Sequence, residues 1–136
     1  MIYLDANVFV VANLDAEALG NDARSLLKDV QSGRLEAASS ALSFDEVVWA
    51  VKRNRTREDS IIAGEAFLNM PRLRLVAVNE DLLASSLEVM RKYHLDSRDS
   101  IHVVSALAEG AETIVSQDEH FDKVKEIRRR GISRGT

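Results

Sequence analysis

Apolar residues recur along the chain in two patterns, as short continuous runs and at a helical spacing of three to four residues. The short runs predict buried strands near 2–5, 35–39, 73–78 and 113–116. Longer stretches with helical spacing lie between them and predict helices near 7–13, 17–32, 41–54, 57–69, 80–94 and 98–109. Strands that alternate with helices are joined by crossover connections and form parallel sheets covered on both faces. The pattern therefore predicts a three-layer α/β/α fold with a central parallel sheet.

Length and composition fit one folded domain that spans residues 1–136. Hydrophobic residues make up 46% of the chain and charged residues 29%, a balance typical of globular proteins. The apolar runs are short and interrupted by charge, and the N-terminus lacks the basic and apolar regions of a secretion signal. We therefore expect a soluble cytoplasmic protein that does not associate with membranes. The absence of cysteine excludes disulfides, thiol nucleophiles and zinc–thiolate sites.

The net charge is −4, but the basic residues are unevenly distributed. Residues 123–136 hold six basic residues and one acidic residue, so this C-terminal segment carries +5 and the rest of the chain −9. A second basic cluster comprises Lys52, Arg53, Arg55 and Arg57. These groups have two interpretations: solvated helix ends and an exposed tail, or surfaces that contact a polyanion.

Two acidic residues follow predicted strands. Asp5 ends the first strand, and Asp118 lies just past the last one. Ligands of parallel sheets bind beyond the carboxyl ends of the strands, so these two carboxylates would meet at one edge if both strands are parallel and central. Glu46 and Asp99 lie in the early turns of two predicted helices. They would face the same edge if their apolar neighbours pack on the sheet.

Each of these acids also has a purely structural explanation. Asp5 could cap the helix that follows it, and Asp118 could begin a turn. Ser43 and Glu46 have the spacing of a capping box, in which the Glu side chain reaches back to the cap amide. Asp99 would lie in a first helical turn, where the helix dipole favours an acid.

A cluster of four carboxylates would need compensation. Two carboxylates about 4 Å apart repel each other by roughly 4 kcal/mol at an effective dielectric constant near 20. Four acids at one sheet edge would therefore require a cation or shared protons. Carboxylate oxygens and water are ligands that suit Mg²⁺ or Mn²⁺, so convergence of the four acids would indicate a divalent metal site.

Four motifs follow one another in the order YLDANVF, SFDEVVWAV, DSRDSIHVVSAL and TIVSQDEHFD. This ordered set resembles the PIN domain family, specifically the VapC-like toxin ribonucleases of toxin–antitoxin systems, and it covers nearly the whole chain. The resemblance implies a PIN-like fold and a metal-binding acidic quartet. The quartet comprises Asp5, Glu46, Asp99 and Asp118, with Asp122 as a peripheral acid. One departure is Ala6, where the family usually has Thr or Ser, so a hydroxyl that could orient Asp5 is missing.

The resemblance also implies an activity, a cofactor and partners. The activity is hydrolysis of RNA to a 5′-phosphate and a 3′-hydroxyl, with Mg²⁺ or Mn²⁺ as cofactor. Asp5, Asp99 and Asp118 would hold the principal ion, and Glu46 would hold a second ion or orient the attacking water. Asn7 would brace Asp5 from the next turn. The expected protein partners are an antitoxin and a second copy of the chain in a homodimer.

The basic cluster at 52–57 is the first candidate for contact with RNA. Arg53 follows Glu46 by seven residues on one predicted helix, a distance of about 10 Å, which would let Lys52, Arg53, Arg55 and Arg57 reach neighbouring phosphates. An acidic antitoxin segment could compete for the same surface. The basic segment 123–134 is the alternative track.

Three other functions share some of these features. A phosphatase with an aspartyl nucleophile, of the haloacid-dehalogenase type, would have a second acid two residues after the first, whereas positions 5–8 read Asp-Ala-Asn-Val. A catalytically inert PIN-like scaffold that binds RNA or protein would be expected to have lost acids of the quartet. A PIN nuclease that processes RNA without being a toxin stays open. The toxin is favoured over it because the chain is small and shows no additional domain.

The histidines and the tryptophan receive structural interpretations. His102, three residues after Asp99, could contact the site but is predicted to be a core histidine or one that supports the site from behind. His94 and His120 are predicted to lie on the surface or in turns. Trp49 is predicted to lie in the core.

Overall fold

A computed structural model describes residues 1–133 as five strands, six α-helices and one 3₁₀ helix. The strands are β1 (Ile2–Leu4), β2 (Ala37–Ser40), β3 (Leu73–Val76), β4 (Thr113–Val115) and β5 (Arg128–Arg130). The helices are α1 (Ala6–Leu14), α2 (Ala18–Gln31), α3 (Leu42–Asn54), α4 (Arg57–Leu68), α5 (Glu80–Tyr93) and α6 (Ser97–Ala108), with the 3₁₀ helix at Glu119–Lys123. The four predicted strands and the six predicted helices are confirmed, with ends that differ by one or two residues.

The strands form one fully parallel sheet in the order β3-β2-β1-β4-β5. The chain therefore builds one half of the sheet from β1 through β3 and then returns to the other side of β1 to add β4 and β5. This reversal leaves a crevice at the carboxyl ends of β1 and β4, where ligands of open α/β sheets bind. Asp5 follows β1 at this point, and Asp118 lies three residues after β4.

The sheet separates two hydrophobic cores. Side chains alternate between the faces of a strand, and the fully buried neighbours Tyr3 and Leu4 accordingly belong to different cores. Leu4 packs in the core that α1, α2, α3 and α4 cover, whereas Tyr3 packs in the core that α5, α6 and the 3₁₀ helix cover. The three-layer α/β/α architecture is thus confirmed. No helix within residues 1–133 is long and apolar enough to cross a membrane.

The C-terminal basic segment differs from its prediction as an exposed tail. Three of its arginines form β5, which pairs in parallel with β4 at the edge of the sheet. Ile127 and Ile132 on either side of this strand are buried and anchor it to the protein. Three consecutive arginines have no apolar alternation, so the periodicity that revealed the other strands was absent here. Arg134, the last basic residue of the segment, lies outside the described residues.

Candidate metal centre

Asp5 is buried at the carboxyl end of the central strand, with 7% of its surface exposed. Its Oδ1 accepts a hydrogen bond of 2.8 Å from the backbone N–H of Ala6, so it does cap α1. Its Oδ2 accepts a second hydrogen bond of 2.7 Å from the Ser116 hydroxyl. Burial raises the pKa of Asp5, while the charge of His102 and the hydroxyl of Ser116 act to lower it. Asp5 therefore caps α1 and also belongs to the candidate site, so the two interpretations of this residue are compatible.

Ser116, directly after β4, is a functional candidate that the sequence analysis did not single out. Its hydroxyl oxygen accepts the backbone N–H of Asp118 at 3.0 Å and the Asn7 amide nitrogen at 3.2 Å while donating to Asp5. Asn7 therefore braces Asp5 through Ser116. Asn7 Oδ1 is buried and has no hydrogen-bond partner in the described part of the chain. An unpaired buried oxygen at this edge is costly unless a ligand or a water binds it.

His102 joins two members of the predicted quartet. Its ring is 1% exposed, with Nδ1 at 2.7 Å from the Tyr3 hydroxyl and Nε2 at 3.1 Å from Glu46 Oε1 and 3.5 Å from Asp5 Oδ1. Burial lowers the pKa of His102, but the hydrogen bond to Glu46 and the charges of Asp5 and Glu46 outweigh it, so the net shift is upward. The predicted buried position is correct. The sequence did not reveal the contact with both acids, because His102 is 56 residues from Glu46 along the chain.

Glu46 projects from the second turn of α3 and does not form the capping box considered from its spacing. The helix begins at Leu42 after Ala41, whose side chain makes no cap, and Ser43 is buried within the first turn, where it shares a hydrogen bond of 2.8 Å with Ser39. Glu46 instead contacts His102 and lies 3.5 Å from the Arg98 guanidinium. Its carboxylate is thus held toward the crevice from two sides.

Asp99 and Asp118 form the more open part of the centre, together with His120. Possible ligand atoms of these three residues lie within 4.8 Å of one another, and the same holds for Asp5, Glu46 and His102. Burial, together with the negative charges of Asp118 and Asp5, raises the pKa of Asp99 to about 6. The charge of Asp5 thus acts on Asp99 across the two groups, and the four predicted carboxylates lie in two groups and not in a single cluster.

The donor chemistry of this edge fits a divalent cation. The centre offers carboxylate oxygens, which are hard ligands, and it lacks thiolates altogether. Burial is the largest cause of the upward shift of the Asp99 pKa, and repulsion by Asp118 and Asp5 adds to it; a cation would relieve this repulsion. The unpaired Asn7 Oδ1 offers one more oxygen to a ligand or its water.

Asp122 lies apart from the two groups of possible ligands found within residues 1–133. Its carboxylate accepts hydrogen bonds of 2.8 and 3.3 Å from the Arg129 guanidinium, which ties the 3₁₀ helix to β5. Its peripheral metal role stays a prediction.

The basic cluster follows Glu46 along α3. Lys52, Arg53, Arg55 and Arg57 are all exposed, at the end of α3 and the start of α4. Trp49, predicted to lie in the core, is 58% exposed, so that prediction is wrong. Its exposure places it on the solvent side of the helix, and the spacing of three residues puts it next to Glu46, with which it lines one cleft.

The family model for the PIN domain matches residues 2–127. The chain belongs to the PIN domain family. The assignment of Asp5, Glu46, Asp99 and Asp118 as the metal-binding quartet of this PIN domain stays a prediction. No curated protein matches the chain.

Solved structures share the fold of this PIN domain. It superposes on VapBC2 from Rickettsia felis, bound to a DNA fragment from its promoter, with a TM-score of 0.72 at 20% identity, covering 96% of this chain and 98% of that one. VapC20 of Mycobacterium tuberculosis, a toxin that cleaves the sarcin–ricin loop, superposes with a TM-score of 0.74 at 14% identity. The match covers 90% of this chain and 93% of that one. DNA-bound VapBC from Salmonella typhimurium superposes with a TM-score of 0.72 at 13% identity. The match covers 97% of this chain and 98% of that one.

Proposed function

We propose that this PIN domain, a single nuclease domain over residues 1–136, is a Mg²⁺- or Mn²⁺-dependent endoribonuclease. The observation that carries the proposal is the pair of acid groups that holds Asp5 with Glu46 and Asp99 with Asp118, which are coupled through the effect of Asp5 on Asp99. RNA is a polyanion, so it can approach four carboxylates only when cations offset their charge. The similarity in fold to a toxin that cleaves an RNA loop supports RNA as the substrate.

The four acids divide two tasks between them in this proposal. Asp5, Asp99 and Asp118 would hold the divalent ion, which when bound would supply positive charge against the phosphate and lower the pKa of water. Ser116 and the Ala6 N–H fix both oxygens of Asp5, so that its position does not depend on the ion. Glu46 accepts a hydrogen bond from the attacking water and orients it, while His102 and Arg98 hold the Glu46 carboxylate in place.

Asp99, one of the residues proposed to hold the cation, can also bind a proton at mildly acidic pH. Because the pKa of Asp99 is raised to about 6, a proton competes with the metal for this carboxylate below that pH. Cleavage should therefore weaken as the pH falls through about 6. The expected products are a 5′-phosphate and a 3′-hydroxyl.

The biological role that we propose is the toxin of a toxin–antitoxin pair, acting on RNA in the cytoplasm. The fold neighbours include several toxin–antitoxin complexes, and the chain spans almost the full length of their toxin subunits. An antitoxin partner follows from this role, and we expect the toxin to form a homodimer. The exposed basic residues of α3 and α4 are the surface proposed for RNA or for an acidic antitoxin segment.

Cleavage of a single-stranded RNA by the purified protein tests the proposed activity. Cleavage should require Mg²⁺ or Mn²⁺, stop with excess EDTA, and resume when the ion is restored. Asp118→Asn, purified in the same way, should lack the activity, whereas Glu88→Gln, an equal loss of charge at an exposed position of α5, should retain it. Full cleavage in excess chelator would contradict the proposal.

Expression in cells tests the toxin role separately. Induction of the wild-type chain should arrest growth, and coexpression of a short neighbouring gene should restore it. A metal-dependent ribonuclease that leaves growth unaffected would be an RNA-processing PIN nuclease.

A further inference from the structure

The structure contains an aromatic cleft directly beside the proposed catalytic acids. A cleft of about 390 Å³ is lined by Asp45, Glu46, Trp49 and Arg98. Its volume falls within the range of small-ligand sites, about 300–1,000 Å³. Glu46 belongs to the metal centre as well, so the cleft and the site of hydrolysis share one wall.

Trp49 is the unusual member of this lining. A large aromatic ring that is 58% exposed lacks the burial that normally holds tryptophan in a folded protein. The Arg53 guanidinium lies 5.1 Å from the centroid of this ring, so the surface combines an aromatic face with a positive charge. Single-stranded nucleic acids bind to surfaces of this type, where bases stack on rings and basic side chains follow the phosphates.

We propose that this cleft binds one nucleobase of the RNA substrate, stacked on Trp49, next to the bond that is cut. Trp49 follows Glu46 by three residues, which is about 4.5 Å along the helix axis, and Arg53 follows Trp49 by one further turn. A base on Trp49 therefore has the catalytic acids on one side and a cation for a phosphate on the other. The inference rests on the proposed ribonuclease function and adds a specific contact to it.

The polar groups of the cleft favour a base over an apolar peptide side chain. The edge of a nucleobase carries both donors and acceptors. Asp45 offers acceptors for amino or ring N–H groups, and the Arg98 guanidinium offers donors for carbonyl oxygens. An apolar side chain in the same place would leave these charged groups without new partners, at a cost in desolvation.

Trp49 is the only tryptophan of the chain, so its fluorescence reports directly on the cleft. The Asp99→Asn variant in Mg²⁺ is mixed with a short single-stranded RNA and with the same strand made abasic. Stacking should quench the emission with the base-bearing RNA and much less with the abasic strand at equal saturation. Equal quenching by both strands, or no quenching while the RNA is bound, would overturn the inference.

Kinetics give an independent test. Trp49→Leu should raise KM for RNA about tenfold, the lower range for loss of one stacked base, with a smaller change in kcat. Trp49→Phe should recover most of the loss. The control is Leu87→Ala, which truncates a similarly exposed apolar residue on α5 and should leave KM unchanged.

The outcomes separate the two proposals. An unchanged KM in Trp49→Leu, with normal metal-dependent cleavage, overturns the base cleft and leaves the ribonuclease intact. Absence of cleavage and of RNA binding in the wild type overturns the ribonuclease itself. If RNA leaves the Trp49 emission unchanged and the coexpressed antitoxin alters it, the cleft belongs to the protein partner and the base inference is wrong.

Discussion

The two acid groups of the centre differ in how the protein satisfies them. Asp5 in the first group is buried and receives hydrogen bonds from a backbone N–H and from Ser116, with His102 beside it. Asp99 in the second group is half-buried and close to Asp118, and its pKa is raised to about 6. Hydrogen bonds within the protein hold Asp5, whereas in the second group His120 lies 2.9 Å from Asp118 and repulsion by Asp118 still contributes to the raised pKa of Asp99. In the proposed metal centre, the first group would therefore supply position and the second would supply most of the metal-binding energy.

The largest expected effect is on the rate of RNA cleavage when Asp99, in the more open acid group, is changed. Asp99→Asn should lower the rate of RNA cleavage by at least about 100-fold, since even residues that only support a metal ligand cost 10–100-fold when changed. The free energy of unfolding in EDTA should stay equal or increase, because one repulsive charge is removed. Chemical denaturation and cleavage assays measure both. An Asp99→Asn protein that unfolds more easily and cleaves normally would reverse the assigned roles.

The second effect compares the two histidines that accompany the groups. His102→Ala should lower the free energy of unfolding by about 2–4 kcal/mol, because it removes a buried side chain and the hydrogen-bond partner of Tyr3 and Glu46. His120→Ala should change it by less than about 1 kcal/mol, because His120 is exposed and its pair with Asp118 is a surface interaction. Urea denaturation of the two variants measures the difference. Equal losses of unfolding free energy in the two variants would mean that the two acid groups contribute equally to the stability of the fold.

A third effect concerns the pH dependence of the metal-free protein. The folded-state pKa of Asp99 lies near 6, above its ordinary value of 3.8, so the folded state binds more protons between these limits. The contribution of the Asp99 carboxyl to the free energy of unfolding therefore falls as the pH rises from about 4 to about 6, and it stays constant at higher pH. The melting temperature in EDTA of Asp99→Asn, relative to wild type, should accordingly increase over this interval. A constant difference would show that Asp99 titrates normally.

The smallest effect concerns the two basic tracks, the cluster at 52–57 and the C-terminal segment from residue 123. Neutralising Arg53, Arg55 and Arg57 on the Glu46 side should flatten the salt dependence of RNA binding by up to about three phosphate contacts. The rate at saturating RNA should change much less. The control is Lys125→Gln with Arg128→Gln, near β5. If only the control flattens the slope, RNA follows the edge strand.

The sequence predicted the fold well because its strands and helices have strong apolar periodicity. It missed β5 because Arg128–Arg130 pair through their backbone at a sheet edge, where burial does not shape the side-chain pattern. The positions of Asp5 and Asp118 after strands, and of Glu46 and Asp99 in early helical turns, agree with the sequence prediction, whereas their role as metal ligands stays a prediction. The Ser116 link and the contact of His102 with Glu46 join residues distant in the chain, and no local spacing encodes such contacts. Trp49 was misassigned because helical periodicity does not reveal which aromatic residues stay exposed.

Calorimetric titration of the metal-free protein with Mg²⁺ or Mn²⁺ tests the central claim most directly, because it requires neither RNA nor activity. The wild type and Glu88→Gln should bind the ion with the same affinity, and binding should raise the melting temperature by mass action. The double variant with Asp99→Asn and Asp118→Asn should bind at least about 100-fold more weakly while remaining folded. Unchanged affinity in the folded double variant would contradict the account, since the ion would then bind away from the converging acids.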